Sequence, residues 1–172
     1  MLKLNLGCGR RIEQGYVNVD AIQGLAADEV WDIGNLMNYK KYPDGSVDEI
    51  RAWHVLEHLP IMQARQVLRE WRRILRPITL QQPQRSFSLD VRVPDLFMVM
   101  EVCVTRGGLD QSIMHHVYAN HTSAFDVHHW GFDAQSICTE IKGSGFEVVD
   151  CDRNAASFEI RVLAVKPAPN KR

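Results

Sequence analysis

A chain of 172 residues, 45% hydrophobic and 24% charged, is long enough to bury one real core, and its net charge of −1 sets up no field for nucleic acid or an anionic membrane. No apolar run approaches the length of a membrane span, and Met1 leads almost directly into a strand-like segment, so neither an anchor nor a signal peptide is expected. The scattered cysteines Cys8, Cys103, Cys138 and Cys151 form no C-x-x-C pair and read as reduced thiols of a cytoplasmic protein rather than a disulfide frame or zinc knuckle.

In chain order, residues 2–6 form a short apolar strand running into Gly7-Cys8-Gly9. A second strand, 16–19, ends at Asp20, and a third, 29–33, has Asp32 near its end. Asp44-Gly45 marks a turn before a fourth strand over 47–55. Ile61, Ala64, Val67, Leu68, Trp71, Ile74 and Leu75 recur at helical spacing over 61–76, and Pro77 stops the run. Phe87, Leu89, Val91 and Val93 alternate with Ser88, Asp90 and Arg92, which predicts a fifth strand ending at Pro94-Asp95. A helix follows over 96–105, broken by Gly107-Gly108. Asp133 is the N-cap of a last helix through Ile137 and Ile141, ended by Gly143 or Gly145. Strands 146–150 and 158–165 are joined by a short polar turn and should pair antiparallel.

Strands alternating with helices imply an α/β fold, a mostly parallel sheet with helices on both faces and an antiparallel last strand. Such sheets bind ligands at the carboxyl ends of their strands. Gly7-Cys8-Gly9, Asp20, Asp32, His54 and Asp95 all fall at such ends, which points to one site.

A G-x-G after a strand is either a tight turn or a place where backbone approaches a ligand closely. Asp20, ending the next strand, can accept both hydroxyls of a ribose. A nicotinamide cofactor would need a glycine at position 12, where the chain has Ile12, and an acidic residue about 20 positions beyond the loop. Gly9 to Asp20 is much shorter, so a nucleoside without pyrophosphate fits better.

The segments "LNLGCG", "GYVNVDA", "YPDGSVDEIRAWHVLEHL", "LREWRRILRP" and "VPDL" follow one another as in class I S-adenosylmethionine-dependent methyltransferases, and the chain most resembles their small type-11 branch. "HHWGFDAQSICTEIKGSGF" is similar to the branch's final helix and strand. The resemblance implies a Rossmann-like three-layer sandwich, with residues 1–172 as a single methyltransferase domain. It also implies S-adenosyl-L-methionine as cofactor. Asn5, Gly7, Cys8 and Gly9 would lie against its methionine part. Asp20 and Ala21 would meet the ribose, Asp32 the adenine amino group, and His54 and Val55 the sulfonium side. Two departures stand out: residues 78–85 lack the family's glycine pair after "LRP", and with the first strand at the start of the sequence the amino-terminal lid of many relatives is not expected. Ser88, Asp90 and Arg92 are also unusually polar for a strand covered on both faces.

His54, Glu57 and His58 spell H-x-x-E-H, a zinc-protease string that needs both histidines on one helical face. Here they straddle a strand-to-helix junction, so the match is read as coincidence and no metal ligand is assigned. His115, His116, His121, His128 and His129 crowd one segment, 113–131, read either as a substrate-side insertion or as a surface loop. A metal there would require three of them to converge. His128, His129 and Asp95 are the candidate bases. Arg65, Arg69, Arg72, Arg73 and Arg76 line the 61–76 helix and are read as a solvated face. The expected acceptor is a saccharide or other small molecule, because neither a basic groove nor a docking repeat suggests a macromolecule. The alternatives are a catalytically silent nucleoside-binding module and a metal-dependent hydrolase using the histidines. Residues 166–172, with two prolines, are expected to be a flexible tail.

Overall fold

The computed structural model describes residues 1–78 and 87–168. Seven strands form one sheet in the order β3-β2-β1-β4-β5-β7-β6. They are β1 (Lys3–Leu6), β2 (Val17–Asp20), β3 (Glu29–Val30), β4 (Glu49–Trp53), β5 (Leu89–Pro94), β6 (Glu147–Asn154) and β7 (Glu159–Val165). The first five are mutually parallel, and β7 runs antiparallel to both β5 and β6. The helices are α1 (Ile61–Ile74), α2 (Leu96–Thr105), α3 (His115–Tyr118) and α4 (Ala134–Gly143). Among the described residues no helix is long and apolar enough to cross a membrane.

One sheet face carries the core. Leu4, Leu6, Ile50, Ala52, Leu89, Val91, Val93, Ile160, Val162 and Ala164 alternate along their strands and are fully buried. Over them lie Ala64, Val67, Leu68, Trp71 and Ile74 of α1 and Ile137 and Ile141 of α4. The indole of buried Trp71 donates to the Tyr39 hydroxyl at 3.0 Å, which donates to the Ile33 carbonyl at 3.0 Å, so both of these polar groups inside the core are paired. Asp133 caps α4 in a reciprocal box with Ser136.

α1 ends two residues before the pattern predicts. Leu75 turns extended and bridges Val47, so the chain turns back to the sheet before Pro77 can act. β3 is shorter than expected because only Val19 and Asp20 offer it a partner. The expected flexible tail is pinned at its start. Ile78 N–H donates to the Lys166 carbonyl, and the Lys166 ammonium donates to the Arg73 and Leu75 carbonyls at 3.2 and 2.8 Å, at the negative end of α1. The atypical connection at 79–86 and the tail at 169–172 lie outside the described residues.

The opposite face explains the polar β5 pattern. No helix occurs in the crossovers 7–16 and 21–28, so this layer is thin and the face is covered largely by its own side chains. Fully buried Asp90 takes two hydrogen bonds from Arg161, at 3.0 and 2.8 Å. The Arg92 and Arg51 guanidiniums stand 3.7 and 4.5 Å from the centre of the Trp53 ring. Ser88, Asp90 and Arg92 therefore suit a strand with helices over one face only.

Three arginines of α1 and Arg76 just beyond it act as staples. Arg65 grips Glu140 of α4 with two bonds of 2.7 Å, Arg72 donates to the Gly145 carbonyl, Arg73 pairs with Glu70 and Asp44, and Arg76 pairs with Asp48. The Arg65 hydrogen bonds lower the Glu140 pKa below its ordinary 4.5. A depressed carboxylate contributes stability above its unfolded pKa and loses it as pH falls through the folded value. Thermal melts should therefore show Glu140→Gln destabilised by about 0.5–1 kcal/mol at pH 7, because the pair is partly exposed, with the difference shrinking as pH falls past the ordinary carboxylate value and gone once the depressed folded value is passed. A difference that persists undiminished in acid would assign the loss to packing instead.

Candidate functional site

The carboxyl ends of β1, β2 and β4 open onto a cavity of about 470 Å³, also lined by Asp32 and Ile33 just beyond β3. Two glycines start its wall, for different reasons. Gly7 has φ +67°, and a Cβ there would lie 2.5 Å from Val55 Cγ2, so tight packing against the end of β4 excludes a side chain. Gly9 has φ +53°, and a Cβ there would meet nothing within 4 Å. Its bare backbone faces the open cavity. Residues 7–16 contain no helix, so no helix N-terminus is present to hold a pyrophosphate.

Asp20 braces this loop. One carboxylate oxygen accepts the Gly9 N–H at 2.7 Å, and the other accepts the Ile22 N–H at 3.0 Å. Asp32 closes the next turn by accepting the Gly34 N–H at 2.7 Å. Gln63 of α1 reaches across to the Gly34 carbonyl at 3.1 Å, which brings the start of the helix onto the wall.

The far wall is the 113–131 segment, which contributes Thr122, Ser123, Ala124, Phe125, Asp126 and His129. Asp126 folds it by accepting from the Thr122 N–H and hydroxyl. The His129 and Trp130 N–H groups donate to the Glu57 carbonyl at 2.8 and 3.2 Å, fastening the segment to the short 3-10 turn Leu56–His58.

His54 sits just past β4 with φ +57°, a strained position for a residue with a Cβ. Its ring is clamped between Glu57 Oε1 at 3.1 Å and Glu159 Oε1 at 2.8 Å. Burial alone would lower its pKa, but the two carboxylates outweigh burial and the net shift is upward. Glu159 shifts down, its burial offset chiefly by His54. Both shifts favour the charged pair, and the Arg92 guanidinium stands 3.7 Å from the other Glu159 oxygen.

Of the residues expected on the cofactor side, Gly7, Gly9, Asp20, Ala21, Asp32, His54 and Val55 line the cavity. Asn5 and Cys8 stand behind it. Buried Asn5 donates to the Arg11 carbonyl and to Asn18, bracing the loop from below. The Cys8 thiol donates to the Gly9 carbonyl, and its pKa is pushed up to about 11 by burial and then by Asp20, so it stays protonated.

Among the candidate bases, Asp95 requires correction. It is fully buried, caps α2 at the Met98 N–H and pairs with Arg153, and it does not line the cavity. His129 lines the cavity, whereas His128 packs its ring 4.7 Å from that of His58. His115 and His116 stack on each other at 4.1 Å away from the cavity, and burial pushes the pKa of His116 down to about 4. Sequence reasoning missed His58, Leu59, Pro60 and Gln63, which join the wall because the chain after β4 makes a tight turn before α1. Their position just past a strand end was the available signal.

Residues 4–78 match the sequence profile of the family described as "Methyltransferase domain". No match was found among curated proteins. Among solved structures, a chain from the complex between the Haloferax volcanii Trm112 methyltransferase activator and its methyltransferase partner superposes with a TM-score of 0.63 at 13% identity, covering 97% of this chain and 83% of that one. An S-adenosylmethionine-dependent methyltransferase from Methanosarcina mazei gives 0.60 at 14% identity, covering 98% and 93%. The 1,6-didemethyltoxoflavin-N1-methyltransferase of Burkholderia thailandensis, solved with 1,6-didemethyltoxoflavin and S-adenosylhomocysteine, gives 0.59 at 15% identity, covering 98% and 71%. At such identities the likeness is one of fold. The methyltransferase profile is thus carried by the part of the chain from β1 to α1, and the chain as a whole has the fold of S-adenosylmethionine-dependent methyltransferases.

Proposed function

We propose that this methyltransferase acts on a small-molecule acceptor, a saccharide or other small metabolite, held between the strand ends and the 113–131 segment. The observation that carries the reading is that one cavity is lined both by the glycine loop with Asp20 and Asp32 and by the histidine-bearing segment. Its size falls within the roughly 300–1,000 Å³ of small-molecule sites, and a bound nucleoside would leave room only for a compact acceptor. Arg65, Arg72 and Arg73 of α1 and Arg76 just beyond it are engaged in staples, which argues against a nucleic-acid track.

The residues fit the cofactor at three points: the bare Gly9 backbone facing open space, the Asp20 carboxylate at a strand end, and Asp32 one strand further out. On this reading Gly7 and Gly9 border the methionine part, Asp20 and Ala21 the ribose, Asp32 the adenine, and His54 and Val55 the sulfonium side. Bound S-adenosylmethionine supplies an electrophilic methyl group on a sulfonium that is itself the leaving group. The chain's own work is alignment and exclusion of water. His129 is the group placed to take a proton from an acceptor O–H or N–H.

Calorimetry with S-adenosylmethionine and S-adenosylhomocysteine should give one site per chain for each. Incubation with fractionated metabolite pools and labelled cofactor should then put label into a low-molecular-weight fraction. Binding without transfer to any pool would favour the silent module, and label in RNA or protein would sink the small-acceptor reading.

A further inference from the structure

We propose that Glu57, His58 and His128 form a site for one divalent ion of the zinc type, which pins the 113–131 segment to the turn after β4. One nitrogen from each ring and one carboxylate oxygen of Glu57 lie within 4.8 Å of one another. Coordination at about 2.0–2.2 Å would bring such atoms to about 3–3.5 Å apart, a closure within reach of side-chain rotation.

Three independent details orient these groups as ligands. His58 Nδ1 is 3.1 Å from the Val127 carbonyl, and His128 Nδ1 is 3.1 Å from the His116 carbonyl. A carbonyl oxygen only accepts, so each Nδ1 carries the proton and each Nε2 keeps its lone pair. Backbone partners on the second ring nitrogen are what metal-bound histidines use to fix tautomer and orientation. The third detail is Glu57. Its side chain is 1% exposed, its Oε1 meets His54, and its Oε2 has no hydrogen-bond partner among the described residues. A buried carboxylate oxygen without a donor is costly, and a cation beside it removes the deficit.

Two imidazoles and one carboxylate suit zinc or cobalt better than magnesium or calcium, which prefer oxygen ligands. The H-x-x-E-H string thus contributes its Glu57 and His58. His54 is excluded, because both of its ring nitrogens already face carboxylates. Glu57 and His58 belong to the turn after β4 and His128 to the histidine-rich segment, so an ion here would hold one cavity wall to the other through His58. The site does not depend on methyl transfer.

The test is a titration of chelator-treated full-length protein with Co²⁺, followed by calorimetry and visible absorption. Wild type should bind one Co²⁺ per chain with the intense bands of four- or five-coordination, and zinc should displace it and raise the melting temperature. His58→Ala and His128→Ala should weaken binding by more than the roughly 10–100-fold typical of losing an outer-sphere partner. His54→Gln and His115→Ala should stay within a few-fold of wild type. Far-ultraviolet circular dichroism and the thermal melt of each metal-free variant report folding separately. Folded wild type without saturable binding, or equal binding in His128→Ala, would overturn the site.

Discussion

Replacing His129 with alanine is expected to lower methyl-transfer turnover by roughly 10²–10⁴-fold while leaving cofactor affinity within a few-fold. The imidazole lines the cavity on the wall opposite the glycine loop, and its backbone N–H is tied to the Glu57 carbonyl at 2.8 Å. His129→Gln separates the roles, since glutamine can hold an acceptor by hydrogen bonding but cannot take its proton at neutral pH. Recovery of the parent rate in His129→Gln would make His129 a positioning residue. A parent rate in the alanine variant would place any base elsewhere.

The adjacent pair His128-His129 shows how far a sequence can be read. Clustering flagged both, and the segment containing them does form a cavity wall. The two neighbours part ways, His129 lining the cavity while the His128 ring packs on that of His58. That division depends on the tie between the segment and the Leu56–His58 turn, a contact spanning some 70 positions that no local pattern encodes. Asp95 failed as a candidate for the converse reason. Its place at a strand end was legible, but the capping of α2 and the partnership with Arg153 both required the fold.

The fold itself was legible wherever one face is buried. The spacing of Ala64, Val67, Leu68, Trp71 and Ile74 and the alternation in β5 located α1 and the fifth strand to within a few residues. The polar positions of β5 were the informative anomaly, since they marked a sheet face without crossover helices. The short gap from Gly9 to Asp20 carried the same message. A chain that spends so few residues between β1 and β2 has no room for a helix over that face, so Asp90 and Arg161 meet there as an ion pair.

That short crossover also sets the second large effect. Asp20→Ala is expected to weaken S-adenosylmethionine binding by about 10–100-fold, from loss of a charged acceptor valued at roughly 1.5–3 kcal/mol. Asp20 is 8% exposed and already accepts the Gly9 and Ile22 N–H groups at 2.7 and 3.0 Å. Each oxygen retains a lone pair for a ribose hydroxyl, so the carboxylate can brace the loop and meet a ligand at once. Alanine would remove both functions, which makes the affinity loss ambiguous by itself. Hydrogen exchange at the Gly9 and Ile22 amides of the ligand-free protein resolves it, because faster exchange reports the brace alone. Asp20→Asn adds a second separation. Its single oxygen can serve one N–H, but its amide group would face the other N–H donor to donor, so affinity should fall between alanine and wild type. If Asp20→Ala speeds amide exchange yet binds S-adenosylmethionine as tightly as the parent, Asp20 holds the loop only, and the ribose is recognised by other groups on the wall.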